Sequence, residues 1–127
     1  MNKNYGELIV DRVVDCYDGD SIRVNIKSLP LIIGDNIGIR VKGVDCPEIR
    51  GKSEYEKQLA ISAREFTERL LREAVEVKLI NVERDKYFRI LATVLVDGQN
   101  LAESLIAAGL GRVYNGGTRQ PWAEENL

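Results

Sequence analysis

Three clusters of charged residues lie at the ends of predicted strands. The longest is Arg40–Glu48, which reads RVKGVDCPE and places an arginine, an aspartate and a glutamate within nine residues. The other two are Asp18–Asp20, a D-G-D turn, and Asp85–Arg89, which reads DKYFR. Each cluster alone is typical of a solvated turn, where Asp and Gly are favoured for backbone reasons. Their occurrence together in one short chain indicates a site built from carboxylates and guanidinium groups.

The chain contains no histidine, and this absence limits the chemistry further. It excludes Ser-His-Asp and Cys-His nucleophile systems, zinc held by histidine, and phosphoryl transfer by two histidines. Any catalysis must use carboxylates, Arg, Lys, Tyr or a metal ion held by oxygen atoms. A calcium loop of the EF-hand type starting at Asp15 is excluded, because Tyr17 and Ile26 stand where that loop needs acidic residues.

The elements that would position these clusters follow the order β-β-β-α-β-β-α. Polarity patterns predict strands over residues 7–17, 21–26, 36–44, 75–82 and 89–96. Ser53, with a glutamate three residues later, is a capping box for an amphipathic helix that ends near Glu73. Asn100 begins a second, short helix that ends at Gly109. The order matches a mainly β fold, a five-stranded Greek-key barrel of the OB type with helices, although other α+β arrangements fit it too.

Length and composition predict one globular domain spanning residues 1–127, and we expect a monomer. No apolar run approaches the roughly 20 residues that span a bilayer, so we expect no membrane contact. Residues 1–8 lack the apolar region of a signal peptide, which favours a cytoplasmic protein, but a secreted protein without its signal peptide would look the same. Cys16 and Cys46 are too few for a metal quartet, and we expect reduced thiols.

With these three clusters in this order, the chain resembles the staphylococcal nuclease (thermonuclease) family over about residues 13–109. The family motifs D-G-D-[ST], R-x-x-x-x-D-x-P-E and D-K-Y-x-R correspond to Asp18–Ser21, Arg40–Glu48 and Asp85–Arg89. Phe88 departs from the glycine that is usual in the third motif, and Cys46 replaces a common threonine. The tail, residues 110–127, does not follow the long C-terminal helix of the secreted prototype.

The resemblance implies a calcium-dependent phosphodiesterase that hydrolyses DNA and RNA on an OB barrel. It assigns nine residues by position: Asp20, Asp45 and the carbonyl of Cys46 as metal ligands; Arg40 and Arg89 on the scissile phosphate; Glu48 as general base; Asp18 as an acidic group just outside the ligands; and Lys86 and Tyr87 near a terminal phosphate of the nucleotide. The residue types alone suit Mg²⁺ or Mn²⁺ as well as Ca²⁺. The alternative is a catalytically inert OB-type module that binds nucleic acid.

Two further expectations concern geometry and charge. In an unbroken strand Arg40 and Asp45 would face opposite sides of the sheet, so a shared site requires a break between them, and Gly43 is the expected place. The net charge of −2 predicts that nucleic acid is bound through a local basic site, with modest phosphate neutralisation. In the tail, Tyr114 is a candidate for stacking on a base, and Trp122 is expected to pack.

Overall fold

The computed structural model describes residues 5–122, which contain nine strands and three helices. The strands are β1 (Leu8–Ile9), β2 (Arg12–Asp18), β3 (Ser21–Asn25), β4 (Ile37–Val41), β5 (Val44–Asp45), β6 (Val77–Arg84), β7 (Ile90–Val96), β8 (Gln99–Asn100) and β9 (Arg112–Val113). The helices are α1 (Leu31–Gly34), α2 (Glu54–Glu73) and α3 (Leu101–Ala107). The long elements follow the predicted order, and the additional elements are all short.

The main sheet curls until its two edge strands meet. Its strand order is β1-β6-β7-β4-β3-β2, with β8 also paired to β7, and only the β4–β7 pairing is parallel. The edge strands β1 and β2 are consecutive in the chain and are joined by Val10 and Asp11 alone. The Val10 N–H donates to the Val77 carbonyl and the Asp11 N–H donates to the Asn25 carbonyl, each over 2.9 Å. Together β1 and β2 form one bent strand, whose first part pairs with β6 and whose second part pairs with β3. The predicted OB-like barrel with helices is confirmed.

The inward faces of these strands form the core. In β4 and β7 buried and half-buried residues alternate, as expected for strands with one face on a core. The largest fully buried side chains include Ile22 of β3, Ile39 of β4, Leu79 of β6, and Leu101 and Leu105 of α3. Cys16 and Cys46 are buried free thiols, as expected, and burial raises the pKa of Cys16 to about 12. No helix within residues 5–122 is long and apolar enough to cross a membrane.

The longest helix, α2, begins and packs as its sequence predicts. The Ser53 side chain accepts a hydrogen bond from the Glu56 N–H over 3.0 Å, which is the first half of the predicted capping box. Thr67, in the middle of the helix, is fully buried and donates its hydroxyl to the Gly19 carbonyl over 2.8 Å. A Cβ atom on Gly19 would come within 3.0 Å of the Ala63 Cβ, so the D-G-D turn can lie against α2 only with glycine there.

Three of the predicted strands have different boundaries. The first is bent at Val10–Asp11 because its two halves pair with different strands. The predicted strand 36–44 is divided into β4 and β5. The predicted strand 75–82 instead runs from Val77 to Arg84, with a bulge at Asn81, whose φ is +51°. This bulge reverses the inward–outward alternation and lets the strand continue through Glu83, which is buried against Lys42.

Candidate active site

The three charged clusters meet at one open cleft of about 580 Å³ on the side of the barrel. Six of the nine residues singled out from the sequence line it: Asp18, Asp20, Arg40, Glu48, Tyr87 and Arg89. Asp45 and Cys46 are almost fully buried and touch residues of its wall, as described below. Strands β2, β3 and β4 and the tip of the β6–β7 hairpin therefore bring the separate motifs to one place.

The strand is interrupted between Arg40 and Asp45, as is required for both side chains to face the same site. Strand β4 ends at Val41 and β5 begins at Val44, with Gly43 between them at a φ of +92°. A positive φ of this kind is readily adopted only by glycine. The break turns Asp45 and its neighbour Cys46 toward the Asp20–Arg40 side of the barrel, and the prediction of a break near Gly43 is confirmed.

Asp20 is the buried acidic centre of the site. Its Oδ2 atom forms an ion pair with Arg40 over 2.8 Å and accepts the Cys46 N–H over 2.9 Å. The side chain of Ser21 donates to the other oxygen over 3.3 Å. Burial raises the pKa of Asp20, even though the Arg40 guanidinium and the Cys46 N–H both act to lower it. Asp20 is thus a buried carboxylate with a guanidinium and a backbone N–H on one oxygen and a hydroxyl on the other.

Asp45 lies beside Asp20 with only 1% of its surface exposed, between two arginines of the tail. Arg112 stands opposite it in the β5–β9 pair and donates to Oδ2 from two nitrogens, over 3.2 and 3.3 Å. Arg119 forms an ion pair with the other oxygen, Oδ1. Both oxygens of this buried carboxylate therefore have an arginine partner.

Glu48 is half-exposed at the cleft, and its backbone is fixed from two sides. Asp18 accepts the N–H of Ile49 over 2.9 Å, and Glu56 accepts the N–H of Glu48 over 3.0 Å. Glu56 therefore supports the site rather than completing the capping box on Ser53. Burial raises the pKa of Asp18, which the hydrogen bond from Ile49 partly opposes. The Glu48 side chain itself forms an ion pair with Arg119.

Arg89 reaches the cleft from the tip of the β6–β7 hairpin. The Asp85 N–H donates to the Arg89 carbonyl over 2.9 Å, which closes a three-residue loop, and the Asp85 carboxylate contacts the Arg89 Nε. This contact uses Nε and leaves the two terminal nitrogens of the guanidinium for a ligand. Gly38 makes room for the side chain, because a Cβ there would come within 3.3 Å of the Arg89 Cβ.

The remaining predicted residues lie at the rim or beneath it. Lys86 is exposed at the hairpin tip, 5.2 Å from the Tyr87 ring, and is not part of the cleft wall. Tyr114 is half-buried, and the Arg40 guanidinium lies 5.8 Å from its ring. In this position the Tyr114 ring stabilises the Arg40 guanidinium by a cation–π contact. The base-stacking role considered for Tyr114 stays a prediction. Trp122 is buried against Arg112, 4.1 Å from the guanidinium to the ring centre, as its expected packing role requires.

Three residues at the site were missed from the sequence: Glu56, Arg112 and Arg119. Arg119 donates to the Cys46 carbonyl over 3.1 Å in addition to its ion pairs with Asp45 and Glu48. It lies 71 residues from Glu48 in the chain, and no spacing rule connects the two. The available signal in the sequence was that Arg112 and Arg119 lie in the same tail as Tyr114 and Trp122. This signal is too weak to assign partners to the arginines.

The oxygen atoms gathered here suit a hard cation. Within residues 5–122 no three His, Cys, Asp or Glu side chains are grouped to hold a metal, so side chains alone do not form a closed cage. Asp20 nevertheless accepts the Cys46 N–H, and Arg119 contacts both Asp45 and the Cys46 carbonyl, so these three oxygen-bearing residues lie close to one another. Ca²⁺ and Mg²⁺ accept such a set of carboxylate and carbonyl oxygens and keep water in the remaining positions. The residues present therefore fit a divalent cation.

Comparison with known families agrees with this geometry. Residues 38–126 match the family model of staphylococcal nuclease homologues, which covers more than half of the chain. The match includes Arg40, Glu48 and Arg89 and continues through the tail that carries Arg112 and Arg119, beyond the part where the sequence motifs were recognised. The chain belongs to the staphylococcal nuclease family.

Proposed function

We propose that the protein is a metal-dependent phosphodiesterase that hydrolyses DNA and RNA, with Ca²⁺ as its ion. The observation that carries this proposal is the convergence of Asp20, Arg40, Glu48 and Arg89 on one cleft, next to the buried Asp45. An inert binding module would have no need for two buried carboxylates beside a half-exposed glutamate, since burying such groups costs stability.

The arginines would bind and stabilise the phosphate. Attack on a phosphodiester gathers negative charge on the equatorial oxygens, and planar, permanently charged guanidinium groups hold such oxygens bidentately. Arg40 is largely buried and fixed by Asp20, whereas Arg89 is about one-third exposed, is held by Asp85 through Nε and lies 5.8 Å from the Tyr87 ring. Arg40 thus supplies a preorganised charge, and Arg89 can adjust to the substrate.

Glu48 would act as the general base. Its carboxylate is exposed enough to reach a water molecule in the cleft, and its backbone is fixed by Asp18 and Glu56. In a chain without histidine, a carboxylate is the natural acceptor for the proton of the attacking water. Asp20, Asp45 and the Cys46 carbonyl would hold the divalent cation, which when bound supplies Lewis-acid polarisation of a phosphate oxygen.

A cleavage assay tests this proposal directly. Plasmid DNA and a single-stranded RNA are incubated with the protein in Ca²⁺, Mg²⁺, Mn²⁺ or EDTA. We expect cleavage with Ca²⁺, none with EDTA, and a loss of about 10²-fold or more in Arg89→Ala, the scale of losing one preorganised donor. Glu48→Gln should lose a similar factor while still binding the oligonucleotide. Binding without cleavage under every metal would instead support the inert nucleic-acid-binding module.

A further inference from the structure

The guanidinium of Arg119 is placed on the groups that the proposed function assigns to the metal and the water. It donates to the Cys46 carbonyl over 3.1 Å and forms ion pairs with Asp45 and Glu48. The guanidinium of an arginine is a permanent cation at any pH at which the protein is folded. One positively charged side chain thus contacts three of the oxygen-bearing residues of the site.

A guanidinium and a divalent cation cannot hold these oxygens at the same time. A calcium ion must approach a carbonyl and a carboxylate oxygen to about 2.3–2.6 Å, on the side where the oxygen lone pairs point. Arg119 donates to the Cys46 carbonyl and is in direct ion-pair contact with Asp45 Oδ1, so its guanidinium already stands against both oxygens. A guanidinium and a metal ion that contact the same oxygen atoms in a partly buried site also repel each other strongly.

Arg119 can leave without stranding Asp45. Its side chain is 39% exposed, so a short movement places the guanidinium in water. Asp45 would retain Arg112, which binds the other carboxylate oxygen and is fixed by β9 pairing and by Trp122. Arg112 also donates to the carbonyls of Gln120 and Pro121, so the segment that carries Arg119 stays attached when the guanidinium moves.

We propose that the guanidinium of Arg119 competes with the divalent metal ion for Asp45, the Cys46 carbonyl and Glu48. The proposal rests on the metal site of the proposed function and adds a residue that sets its affinity. Metal binding then requires Arg119 to leave the site, and the tail lowers the affinity for metal by stabilising the metal-free form. Arg119 is a positioning residue for the cation and for Glu48, since its release also frees that carboxylate for its proposed role.

The test is a calorimetric titration of Ca²⁺ into the full chain and its variants, without nucleic acid. We expect Arg119→Gln to bind Ca²⁺ about tenfold more tightly than the parent, within the usual range for coupled binding events. Arg119→Lys, which keeps the charge but loses the planar fork, should lie between them. Arg72→Gln removes the same charge from an exposed position in the last turn of α2 and should change the affinity by less than about twofold.

A second readout separates displacement from a general charge effect. The Arg119 Nε–H resonance, assigned by its loss in Arg119→Gln, should move to the position of a free arginine when the parent is saturated with Ca²⁺. An unchanged resonance, or equal Ca²⁺ affinities in the parent and Arg119→Gln, would overturn the proposal while leaving the metal site intact. Absence of Ca²⁺ binding in every folded variant, judged by circular dichroism, would overturn the proposed metal site together with it.

Discussion

At the scale of single residues, the site combines acids that are costly to bury with cations drawn from distant parts of the chain. Asp20 and Asp45 are nearly inaccessible, and each has an arginine partner, Arg40 and Arg112 respectively. Removing Arg40 would leave the buried Asp20 without its ion-pair partner, which costs far more than the pair itself contributes. The charges are therefore interdependent, and this explains why arginines that no motif predicted are part of the site.

Phe88 is the residue whose conformation conflicts most clearly with its type. Its φ is +54°, and the other three non-glycine residues with positive φ within residues 5–122 are Asn or Asp, which tolerate that region. Phe88 is the last residue of the three-residue loop at the tip of the β6–β7 hairpin, a position that commonly adopts the left-handed conformation and takes glycine. The left-handed backbone conformation at this position thus explains both the glycine usual in the family motif and the strain at Phe88.

Replacing this side chain should stabilise the protein. We expect Phe88→Gly to raise the free energy of unfolding by about 1 kcal/mol, because the left-handed conformation costs a residue with a Cβ roughly 1–2 kcal/mol. The ring is 75% exposed, so little packing is lost. Phe88→Ala is the matched control, since it removes the ring but keeps the Cβ. Urea unfolding curves in which both variants are equally stable would contradict the argument.

At the scale of elements, strands and helices long enough to show a repeating polarity pattern were predictable from the sequence. Features that depend on tertiary contacts were not. The strands with sustained alternation and α2 with its Ser53 cap were found from the sequence, as was the break at Gly43, which followed from side-chain parity alone. Strands β8 and β9 have two residues each and carry no periodicity. The Asn81 bulge in β6 depends on its pairing with β7, and the contacts of Arg119 depend on partners far away in the chain.

The β4–β5 break gives the clearest prediction for an element. A Cβ on Gly43 would meet nothing closer than the Ala102 Cβ at 3.8 Å, so Gly43→Ala has space and its cost lies in the backbone φ of +92°. We expect the free energy of unfolding to fall by about 1–2 kcal/mol. The proposed phosphodiesterase activity should also fall, by about tenfold or more, because small shifts of Asp45 misalign the site.

Gly117→Ala is the control for this substitution. Gly117 also has open space around it, is exposed, and lies outside the positive-φ region, so its replacement should change stability by less than about 0.5 kcal/mol. Denaturant unfolding and kcat/KM measured on both variants separate the two effects. A Gly43→Ala variant with parental stability would mean that the chain can pass from β4 to β5 without a left-handed residue.

At the scale of the whole molecule, charge is local rather than global. The chain has a net charge of −2, yet Arg23, Arg40, Arg89 and Arg119 all line one cleft. Asp15, Asp18, Asp20 and Glu48 line the same cleft, so its four arginines are matched by four acidic side chains. Such an arrangement attracts phosphate over a short range and gives little steering over distances beyond a Debye length.

This balance predicts a weak dependence of nucleic-acid binding on salt. With two or three phosphates neutralised in the cleft, the logarithm of the binding constant for a single-stranded oligonucleotide should fall with the logarithm of the salt concentration at a slope of about −1.5 to −2. Fluorescence anisotropy in EDTA measures this binding without metal-dependent cleavage. Arg89→Ala should reduce the slope by about 0.7, the contribution of one phosphate contact, whereas Arg72→Gln should leave it unchanged. A slope steeper than about −4 would require phosphate contacts well beyond the cleft and would contradict this prediction.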